Sequence, residues 1–398
     1  MSAKTAEQSS QSTPGRDTEP LALEQFADLT PAAQADRMIS VIVPVLNDRN
    51  HVGRFLCKLR AQTYPKDKFE VLIADGGSSD GTLTLIQQYV VQNPEIRIRL
   101  LNLPGASKRV RLNHCVREAR GEIIARIDGG HSFPSEDYLE KVNQYFWLLK
   151  DQQVLALGGP VRMLSESFWG NAIVTTMNSR FAVGNVQYRR VGKEGFIKTV
   201  QNASYLKTAF DQLGLFDDSV LGGEDDDFHL RIIKAGSRIF MTPAIRFFYY
   251  PRETFRGLFR QQIHYGRARV RVIRKHPDSF SLRYVIPPLF VAGVVAAPLV
   301  CGLFQWARWT CLLFAESYFL ASIISSVGDS LKSSWRYFPV YPCLYFSVHM
   351  GYGMGVLLEV FHIKSVWDDS DSSERIAINK DPPEIKLQAK GQVKISSD

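Results

Sequence analysis

Four consecutive acids, Glu224, Asp225, Asp226 and Asp227, stand between two glycines and an apolar helical pattern in the segment GGEDDDFHLR. Like charges this close together repel and raise one another's pKa, which costs stability. Acids also favour the N-terminus of a helix, so one interpretation is a solvated acidic loop that caps a helix. The other interpretation is a site that needs a carboxylate base beside a cation.

Three further acids follow short apolar runs that are typical of strands. Asp48 follows VIVPVLN, Asp75 ends FEVLIAD and Asp128 ends EIIARID. In open α/β sheets, ligands bind at the carboxyl ends of the parallel strands. A single acid after a strand is usually a turn former or a helix cap. Capping does not require the repetition after three strands, which therefore predicts a ligand site at this edge of the sheet.

The segment DGGSSDGT begins at Asp75 and leads into a helical pattern. Its glycines permit tight turns and a close approach of the backbone to a ligand. Asp75 could accept a hydrogen bond from a ribose or a base, and Asp80 could brace the loop. The segment is neither a Walker loop nor GxGxxG, so nucleotide binding is predicted by neither of those two routes.

Together these acids indicate transfer chemistry on a nucleotide-diphosphate donor. A diphosphate leaving group is doubly charged and needs a cation, and oxygen ligands such as Asp128 suit Mg²⁺ or Mn²⁺. The metal would act as a Lewis acid on the departing phosphate. A separate carboxylate, supplied by GGEDDDFHLR, would remove the proton from an incoming hydroxyl.

Strands and helices must alternate to position these acids. This alternation predicts βαβ units and a mostly parallel sheet, which is an α/β fold. Strands this apolar are expected to be buried on both faces. Residues 150–250 contain further strand-like runs and would complete the same domain. The predicted strands are 39–45, 69–75, 96–101 and 122–128, and the predicted helices between them include 52–62 and 82–92.

The chain has 398 residues, of which 45% are hydrophobic, and a net charge of +8. This length allows about two domains, or one domain with attachments. Five cysteines occur without CxxC spacing, so neither a zinc site nor a disulfide framework is predicted. Residues 1–37 and 364–398 are predicted to be polar tails, and the first tail has no apolar stretch typical of a signal peptide.

Three long apolar runs occupy 284–304, 309–327 and 337–361. Each is long enough to cross a bilayer, which takes about 20 residues. Aromatic residues near their ends are typical of interfacial anchors. The alternative is a buried helical hairpin of a soluble protein, but three such runs in succession are hard to bury. Two or three transmembrane helices are therefore predicted within 281–363, since prolines could make one run re-entrant.

A basic stripe precedes these runs, within residues 251–280. A basic amphipathic helix beside a transmembrane segment is predicted to lie on anionic membrane lipid. The positive-inside rule then places the domain 38–250 in the cytoplasm, on the inner membrane. Nucleic acid is another partner for positive charge, but no nucleic-acid motif accompanies this helix. The stripe recurs every three or four residues: Arg256, Arg260, His264, Arg267, Arg271 and Arg274.

Five segments occur in an order that is similar to a known family: VIVPVLND, VLIADGGSSDGT, ARGEIIARIDGGH, GGEDDDFHLR and QQIHYGRAR. Together they resemble the family 2 inverting glycosyltransferases of GT-A fold, in particular the membrane-bound succinoglycan-type exopolysaccharide glycosyltransferases. The resemblance covers roughly residues 38–275 and the membrane region. It implies a Rossmann-like, mostly parallel sheet flanked by helices, followed by transmembrane helices.

The resemblance also implies which residues bind the donor, a nucleotide sugar and most simply a UDP-sugar. Asp128 would be the first acid of a DxD-type motif that holds Mg²⁺ or Mn²⁺. Gly130 replaces the second acid, and His131 would be a metal ligand, a phosphate contact or an ordinary loop histidine. The implied donor-binding residues are Pro44, Asp48, Asp75, Asp80, Lys108, Arg111, Asn113 and Asp128.

On the acceptor side, the resemblance implies that Asp225 is the general base, with Glu224 and Asp227 beside it. The implied acceptor residues are Arg231, Gln261, His264 and Tyr265. The last three resemble a QxxRW-type motif with two positions changed, which favours the addition of a single sugar over processive synthesis.

The implied reaction moves a hexose from the nucleotide sugar to a hydroxyl of a lipid-linked saccharide, with inversion. One alternative is a polyprenyl-phosphate sugar transferase, whose phosphate acceptor would need no strong base. Another is a non-catalytic membrane scaffold of the same fold. The presence of both Glu224 and Asp225 disfavours the scaffold, because a scaffold is expected to lose its base.

Overall fold

The computed structural model of the chain describes residues 37–129, 131–184 and 194–364. The predicted polar tails and Gly130 therefore lie outside the described residues, apart from 37 and 364. The strands are β1 Ile39–Val45, β2 Phe69–Asp75, β3 Ile98–Asn102, β4 Ile123–Arg126, β5 Ser132–Pro134, β6 Val154–Gly158, β7 Val161–Met163, β8 Gly195–Phe196, β9 Ser204–Leu206, β10 Arg238–Met241 and β11 Phe247–Tyr249. The helices are α1 Arg49–Arg60, α2 Thr82–Gln92, α3 Lys108–Glu118, α4 Tyr138–Leu148, α5 Phe168–Asn178, α6 Arg180–Val183, α7 Lys207–Leu213, α8 Glu224–Lys234, α9 Phe255–Lys275, α10 Ile286–Leu303, α11 Gln305–Lys332 and α12 Tyr341–Val360.

The main sheet of the described residues has the strand order β3-β2-β1-β4-β9-β6-β10-β8. Strand β1 runs parallel to both of its neighbours, with Val45 opposite Asp75 on β2 and Ile42 opposite Arg126 on β4. Strand β9 runs antiparallel between β4 and β6. The predicted α/β fold with a mostly parallel sheet is confirmed. Its register brings the loops after β1, β2 and β4 to one edge.

The first two strands and α2 have the predicted bounds, whereas β4 ends at Arg126, two residues before the predicted end. The reason is that the Asp128 N–H donates to the side chain of Asn202 and not to a neighbouring strand. Helix α1 begins at Arg49, directly after Asp48, and not at residue 52. Asp48 and Asp128 therefore both lie in the loops that follow their strands.

The core lies on both faces of the sheet, as predicted from the apolar strands. In β1, Val41 and Val43 face a cluster formed with α1, α2 and α4. Ile42 points to the opposite cluster, which contains residues of α3, α7 and α8. Side chains alternate between faces along a strand, so a continuous apolar run fills both clusters. A smaller sheet has the order β5-β11-β7.

Three C-terminal helical segments are long and apolar enough to cross a membrane: Leu282–Leu303, Gln305–Lys332 and Trp335–Val360. In the first two, only 11% of the most apolar stretch is buried within the chain. Leu299 and Trp309 are 68% and 72% exposed. A hairpin buried within this chain would hide these side chains, so their exposure favours the membrane interpretation of the apolar runs.

Helices α9 and α12 touch backbone to backbone along a glycine seam, which we define as Gly266 of α9 with Gly351 and Gly355 of α12. A Cβ added at Gly266 would overlap the carbonyl oxygen of Tyr352, and one at Gly355 would overlap that of Ile263. Glycines four residues apart permit such close helix packing. The seam joins α9, which follows the α/β domain, to one of the three long apolar helices.

Part of the predicted basic stripe forms ion pairs with another helix of the same chain. Arg271 donates from Nε and Nη2 to the two carboxylate oxygens of Glu359 on α12, at 2.9 Å each. Arg267 and Arg274 lie within 3.6 and 3.8 Å of the same carboxylate. The stripe therefore does not face lipid along its whole length, because its C-terminal half packs on α12.

Candidate active site

A cavity of about 2260 Å³ opens at the carboxyl ends of β1 and β4. Its walls come from the loops that follow these strands, the start of α8, one face of α9 and the membrane helices. It thus lies where ligands bind in open α/β sheets. The acids predicted to form the site converge on it from distant parts of the chain.

Four charged side chains form a compact network at the base of this cavity. Lys108 Nζ lies 3.0 Å from Asp128 Oδ2 and 3.0 Å from Glu224 Oε1. Arg126 donates to both oxygens of Asp128, from Nε at 2.9 Å and from Nη2 at 3.0 Å. Two cations thus balance two carboxylates, which is the condition for keeping charges in a buried place.

Glu224 is held in this network and is only 4% exposed. Burial by itself would raise its pKa, but Lys108 and Arg126 outweigh this effect and hold the pKa of Glu224 well below its usual range. Asp128 behaves in the same way: burial opposes its ionisation, and Arg126 and Lys108 lower its pKa. Both carboxylates are therefore permanently ionised and poorly suited to accept a proton.

Asp225 lines the cavity next to Glu224 but forms no ion pair with any residue that the structure describes. Its Oδ1 accepts a hydrogen bond from the Asp226 N–H at 3.1 Å. Burial raises the pKa of Asp225 to about 6; the negative charge of Glu224 adds to the rise, and Arg126 opposes it. An elevated pKa makes a carboxylate a stronger base. Of the four acids, Asp225 is the one suited to proton transfer.

The local sequence explains why these acids face the cavity. Helix α8 begins at Glu224, so all four acids occupy its first turn, where the helix dipole favours negative charge. Gly222 precedes it with φ +78, and a Cβ at that position would overlap the ring of His264. The glycine thus lets the turn approach α9. GGEDDDFHLR thus begins a helix and also brings Asp225 to the cavity, so the two interpretations do not exclude each other.

The remaining two acids have different partners. Asp226 accepts hydrogen bonds from Thr199 at 2.8 Å and from Arg269 at 2.9 Å. Asp227 is fully buried and does not line the cavity. It accepts from Arg231 at 3.0 Å and contacts His276 at 2.8 Å, which ties α8 to the end of α9.

The structure thus places two predicted site residues, Asp227 and Arg231, away from the cavity. Arg231 also donates to the carbonyl oxygens of Leu213 and Leu215, at 2.7 and 2.8 Å. These contacts fix the loop before α8. The pair positions the helix that carries Asp225 and does not itself reach a substrate in the cavity.

The predicted donor residues divide into two groups. Some line the cavity: Pro44, Asp48, Lys108, Arg111 and Asp128. The others, Asp75, Asp80 and Asn113, serve the surrounding backbone. The Asp75 carboxylate accepts from the backbone N–H groups of Gly77 and Ser78, at 2.9 Å each.

Asp80 and Asn113 are likewise occupied by the chain itself. Asp80 accepts from the Arg49 N–H at 3.0 Å and from Thr82 Oγ1 at 2.5 Å, so it braces the loop as expected. Asn113 exchanges two hydrogen bonds with the backbone of Phe216, at 2.8 and 3.0 Å. Its amide therefore anchors the loop before α8 and does not face the cavity.

All three residues of the altered QxxRW-type motif line the cavity from α9. Gln261 Nε2 donates to the hydroxyls of Tyr249 and Tyr265, at 3.3 and 3.1 Å. His264 lies against Gly222 at the start of the acidic turn. The motif thus forms the wall opposite the donor-side loops.

The expected metal pair, Asp128 with His131, does not form a ligand cluster in the described residues. Both oxygens of Asp128 already accept from Arg126 or Lys108. His131 instead lies with Asp48 and His51, and the three have potential ligand atoms within 4.8 Å of one another. Asp48, His51 and His131 therefore fit a divalent metal ion, and this set of ligands differs from the predicted pair of Asp128 and His131.

Sequence reasoning missed two residues of the site, Arg126 and His51. Arg126 is only 2% exposed and joins Asp128 to Glu224. A signal was available, because an arginine within the apolar strand EIIARID must find buried carboxylates. His51 follows Asp48 by three residues at the start of α1. Nothing in the local pattern links it to His131.

This site and fold match known proteins. Residues 40–211 match the glycosyl transferase family 2 profile. The chain carries a family 2 glycosyltransferase domain of GT-A fold and is a glycosyltransferase, which confirms the resemblance described above.

Two curated relatives cover most of the chain. One is the succinoglycan biosynthesis protein ExoA of Rhizobium meliloti, 27% identical over 328 residues, or 81% of this chain and 95% of the relative. The other, from Methanococcus voltae, is a dolichyl N-acetyl-alpha-D-glucosaminyl phosphate 3-beta-D-2,3-diacetamido-2,3-dideoxy-beta-D-glucuronosyltransferase. It is 27% identical over 315 residues, or 78% of this chain and 93% of the relative.

Among solved structures, a mannosyltransferase from Pyrobaculum calidifontis, in complex with GDP-Man and Mn²⁺, is similar with a TM-score of 0.56. The alignment covers 85% of this chain and 91% of the neighbour, at 18% identity. At this identity the likeness shows the fold alone.

Proposed function

We propose that this enzyme is an inverting glycosyltransferase of the inner membrane. It moves a hexose from a nucleotide-diphosphate sugar, a UDP-sugar in the first instance, to a hydroxyl of a lipid-linked saccharide. The observation that carries this proposal is the contrast between Asp225 and its neighbours. Glu224, Asp226 and Asp227 are held by cations, whereas Asp225 faces the cavity with a raised pKa.

In the proposed reaction, Asp225 accepts the proton of the acceptor hydroxyl as its oxygen attacks the anomeric carbon. The bond to the donor diphosphate breaks on the opposite face of the sugar, which inverts the configuration. Negative charge then develops on the leaving diphosphate. Lys108 and Arg126, fixed beside Asp128, supply preorganised positive charge at this end of the cavity. A bound divalent metal would add Lewis-acid stabilisation of the same charge.

The cavity also supports a lipid-linked acceptor. It extends from Asp225 to apolar side chains of the membrane helices, among them Phe290 of α10 and Tyr318 of α11. A saccharide carried on a lipid would thus present its sugar to the base while its chain stays in the bilayer. The relative from Methanococcus voltae is named for an acceptor on dolichyl phosphate. The positive-inside rule places the catalytic domain in the cytoplasm.

The test is nucleotide release by detergent-solubilised full-length protein with native membrane lipid as acceptor. A panel of UDP- and GDP-sugars is assayed with Mg²⁺, Mn²⁺ or EDTA, for wild type, Asp225→Asn and Asp211→Asn. Asp211 is an exposed residue of α7, so its variant controls for the loss of one carboxylate. We expect one donor to support metal-dependent turnover that only Asp225→Asn loses, by about a hundredfold. The anomeric configuration of the product, read by NMR, is expected to be inverted.

The outcomes separate the alternatives. Full activity of Asp225→Asn with a polyprenyl phosphate acceptor would show that no base is needed and that the enzyme is a polyprenyl-phosphate sugar transferase. Donor binding without turnover on any lipid fraction would favour the non-catalytic scaffold. Retention of configuration would refute the inverting mechanism.

A further inference from the structure

We propose that Asp48, His51 and His131 bind the divalent metal ion of this enzyme, and that the site selects Mn²⁺ or a similar transition metal over Mg²⁺. The role of this metal in transfer rests on the proposed function, but its binding can be tested without turnover. Asp128, the expected metal ligand, instead stays in the ion network with Arg126 and Lys108.

The three side chains have a geometry that one ion can bridge. His131 Nε2 lies 3.8 Å from Asp48 Oδ1. The rings of His51 and His131 are 4.0 Å apart between centroids and tilted by 39°. One ligand atom from each residue falls within a mutual distance of 4.8 Å. Ligands of a common ion at metal–ligand distances of about 2.0–2.2 Å lie at most about 4.4 Å apart, so small side-chain rotations complete the site.

Two segments of the chain deliver these ligands to one edge of the sheet. Asp48 follows β1, His51 lies in the first turn of α1, and His131 follows the turn after β4. The neighbouring parallel strands β1 and β4 place these loops side by side. Gly129 has φ +63, and a Cβ added there would lie 3.1 Å from Asp48 Oδ2. The glycine turn thus packs closely against the Asp48 carboxylate.

The loop that carries Asp48 is itself fixed from behind. The Asp48 N–H donates to Thr82 Oγ1 at 2.8 Å, and this hydroxyl donates to Asp80 at 2.5 Å. Such outer contacts orient ligands around a metal. The arrangement gives Asp80 a positioning role for the metal site, beyond bracing its own loop.

Charge argues against a metal at Asp128 in this chain. Lys108 and Arg126 both contact its carboxylate, and a dication there would have to displace or lie beside two fixed cations. The cluster of Asp48 with His51 and His131 offers one carboxylate oxygen and two imidazole nitrogens within 4.8 Å of one another. A dication is therefore attracted to this cluster more than to Asp128.

The donor types determine the metal preference. Imidazole nitrogens bind first-row transition metals in an order that rises from Mn²⁺ through iron and nickel to copper, with zinc also bound well, whereas Mg²⁺ is held by oxygen ligands and water. A mixed set of two imidazoles and one carboxylate therefore disfavours Mg²⁺. Three protein ligands leave coordination positions open, and Asp48 and His131 both line the cavity. A donor diphosphate entering the cavity can thus complete the coordination.

The experiment measures Mn²⁺ binding to full-length, detergent-solubilised protein by the loss of the EPR signal of free Mn²⁺. Wild type is compared with His51→Ala, His131→Ala, Asp128→Asn and His114→Ala. His114 lies on α3, outside the cavity lining, and serves as the matched histidine control. We expect each of the first two variants to weaken binding at least about tenfold. Asp128→Asn and His114→Ala should stay within about threefold of wild type.

Pulsed EPR on the wild-type complex provides a readout that needs no variant. Histidine ligation is expected to give ¹⁴N couplings on bound Mn²⁺, and Mg²⁺ at an equal concentration should not displace the ion. Absence of ¹⁴N couplings, or loss of binding in Asp128→Asn with unchanged binding in His51→Ala, would overturn the proposal. If Mn²⁺ binds through histidine but the protein shows no transferase turnover, the proposed function is refuted and the proposed metal site still stands.

Discussion

The Nη2 atom of Arg126 lies 2.9 Å from Oε1 of Glu224, and the two side chains are almost completely buried. This ion pair connects β4 to the start of α8 across 98 residues of sequence. It keeps Glu224 ionised next to Asp225, and that fixed negative charge contributes to the raised pKa of Asp225. One buried arginine therefore contacts α8 and has two effects on the pKa of Asp225: its own charge lowers this pKa, and the Glu224 charge that it stabilises raises it.

The Arg126–Glu224 pair predicts that a single substitution lowers the free energy of unfolding and that a second substitution restores most of it. Arg126→Met leaves two carboxylates, Asp128 and Glu224, against one cation, Lys108. Loss of one partner of a buried pair costs about 3–5 kcal/mol, so the free energy of unfolding should fall by that amount. Arg126→Met with Glu224→Met restores the balance between Lys108 and Asp128 and should recover most of the loss. Thermal unfolding in detergent measures both, and equal destabilisation of the two proteins would contradict the charge argument.

The pKa of Asp225 predicts the pH dependence of turnover. The ionised carboxylate is the base, and its pKa is raised from 3.8 to about 6. Activity should therefore be constant above that pH and fall about tenfold per unit below it, as the base becomes protonated. The measurement is kcat/KM between pH 4.5 and 8.5. The residual rate of Asp225→Asn should lack this inflection, and an unchanged inflection in that variant would assign the titration to another group.

Asp227 is predicted to matter for stability and not for chemistry. Asp227→Asn weakens the contacts with Arg231 and His276 in a fully buried position, which should lower the free energy of unfolding by about 3–5 kcal/mol. The kcat of the protein that remains folded should stay within about threefold of wild type, because the side chain does not reach the cavity. Thermal unfolding and active-site-normalised turnover test this. Asp211→Asn should change neither, and a hundredfold fall in kcat for Asp227→Asn would return Asp227 to the catalytic set.

The glycine seam predicts that one added methyl group lowers the free energy of unfolding. Gly355→Ala would place a Cβ against the carbonyl oxygen of Ile263, so helices α9 and α12 must move apart. Overpacking of this kind costs about 1–3 kcal/mol. Gly293→Ala, on α10, is the matched control, because nothing lies within 4 Å of its added Cβ. Thermal unfolding in detergent compares the two variants. Equal unfolding midpoints would show that α9 and α12 can move apart at Gly355 without loss of stability.

The sequence predicts those parts of the fold that depend on local pattern. The continuous apolar runs of β1 and β2 have the predicted bounds, because strands buried on both faces need apolar residues at every position. The convergence of Asp48 and Asp128 on one edge was also predictable, since carboxyl ends of parallel strands meet there.

The different partners and pKa values of the neighbouring acids could not be predicted from the sequence. Glu224 and Asp225 have the same local environment in the sequence, and their difference arises from the ion pairs of Glu224 with Lys108 and with Arg126, which lies 98 residues before it. Asn113 gives a similar case, because its partner Phe216 is 103 residues away. Neither local spacing nor the family resemblance carries information on such partners, and the resemblance therefore implied donor binding for Asn113 and a place beside the base for Asp227.

The glycine seam has one more consequence. Because no side chains separate the backbones of α9 and α12 at these glycines, a change in the tilt of α12 is expected to move α9 as well. Helix tilt responds to the thickness of the surrounding bilayer. Helix α9 carries Gln261, His264 and Tyr265 on the cavity wall. If α12 spans the bilayer as proposed, we expect bilayer thickness to shift this wall of the cavity and lipid composition to alter the rate of sugar transfer.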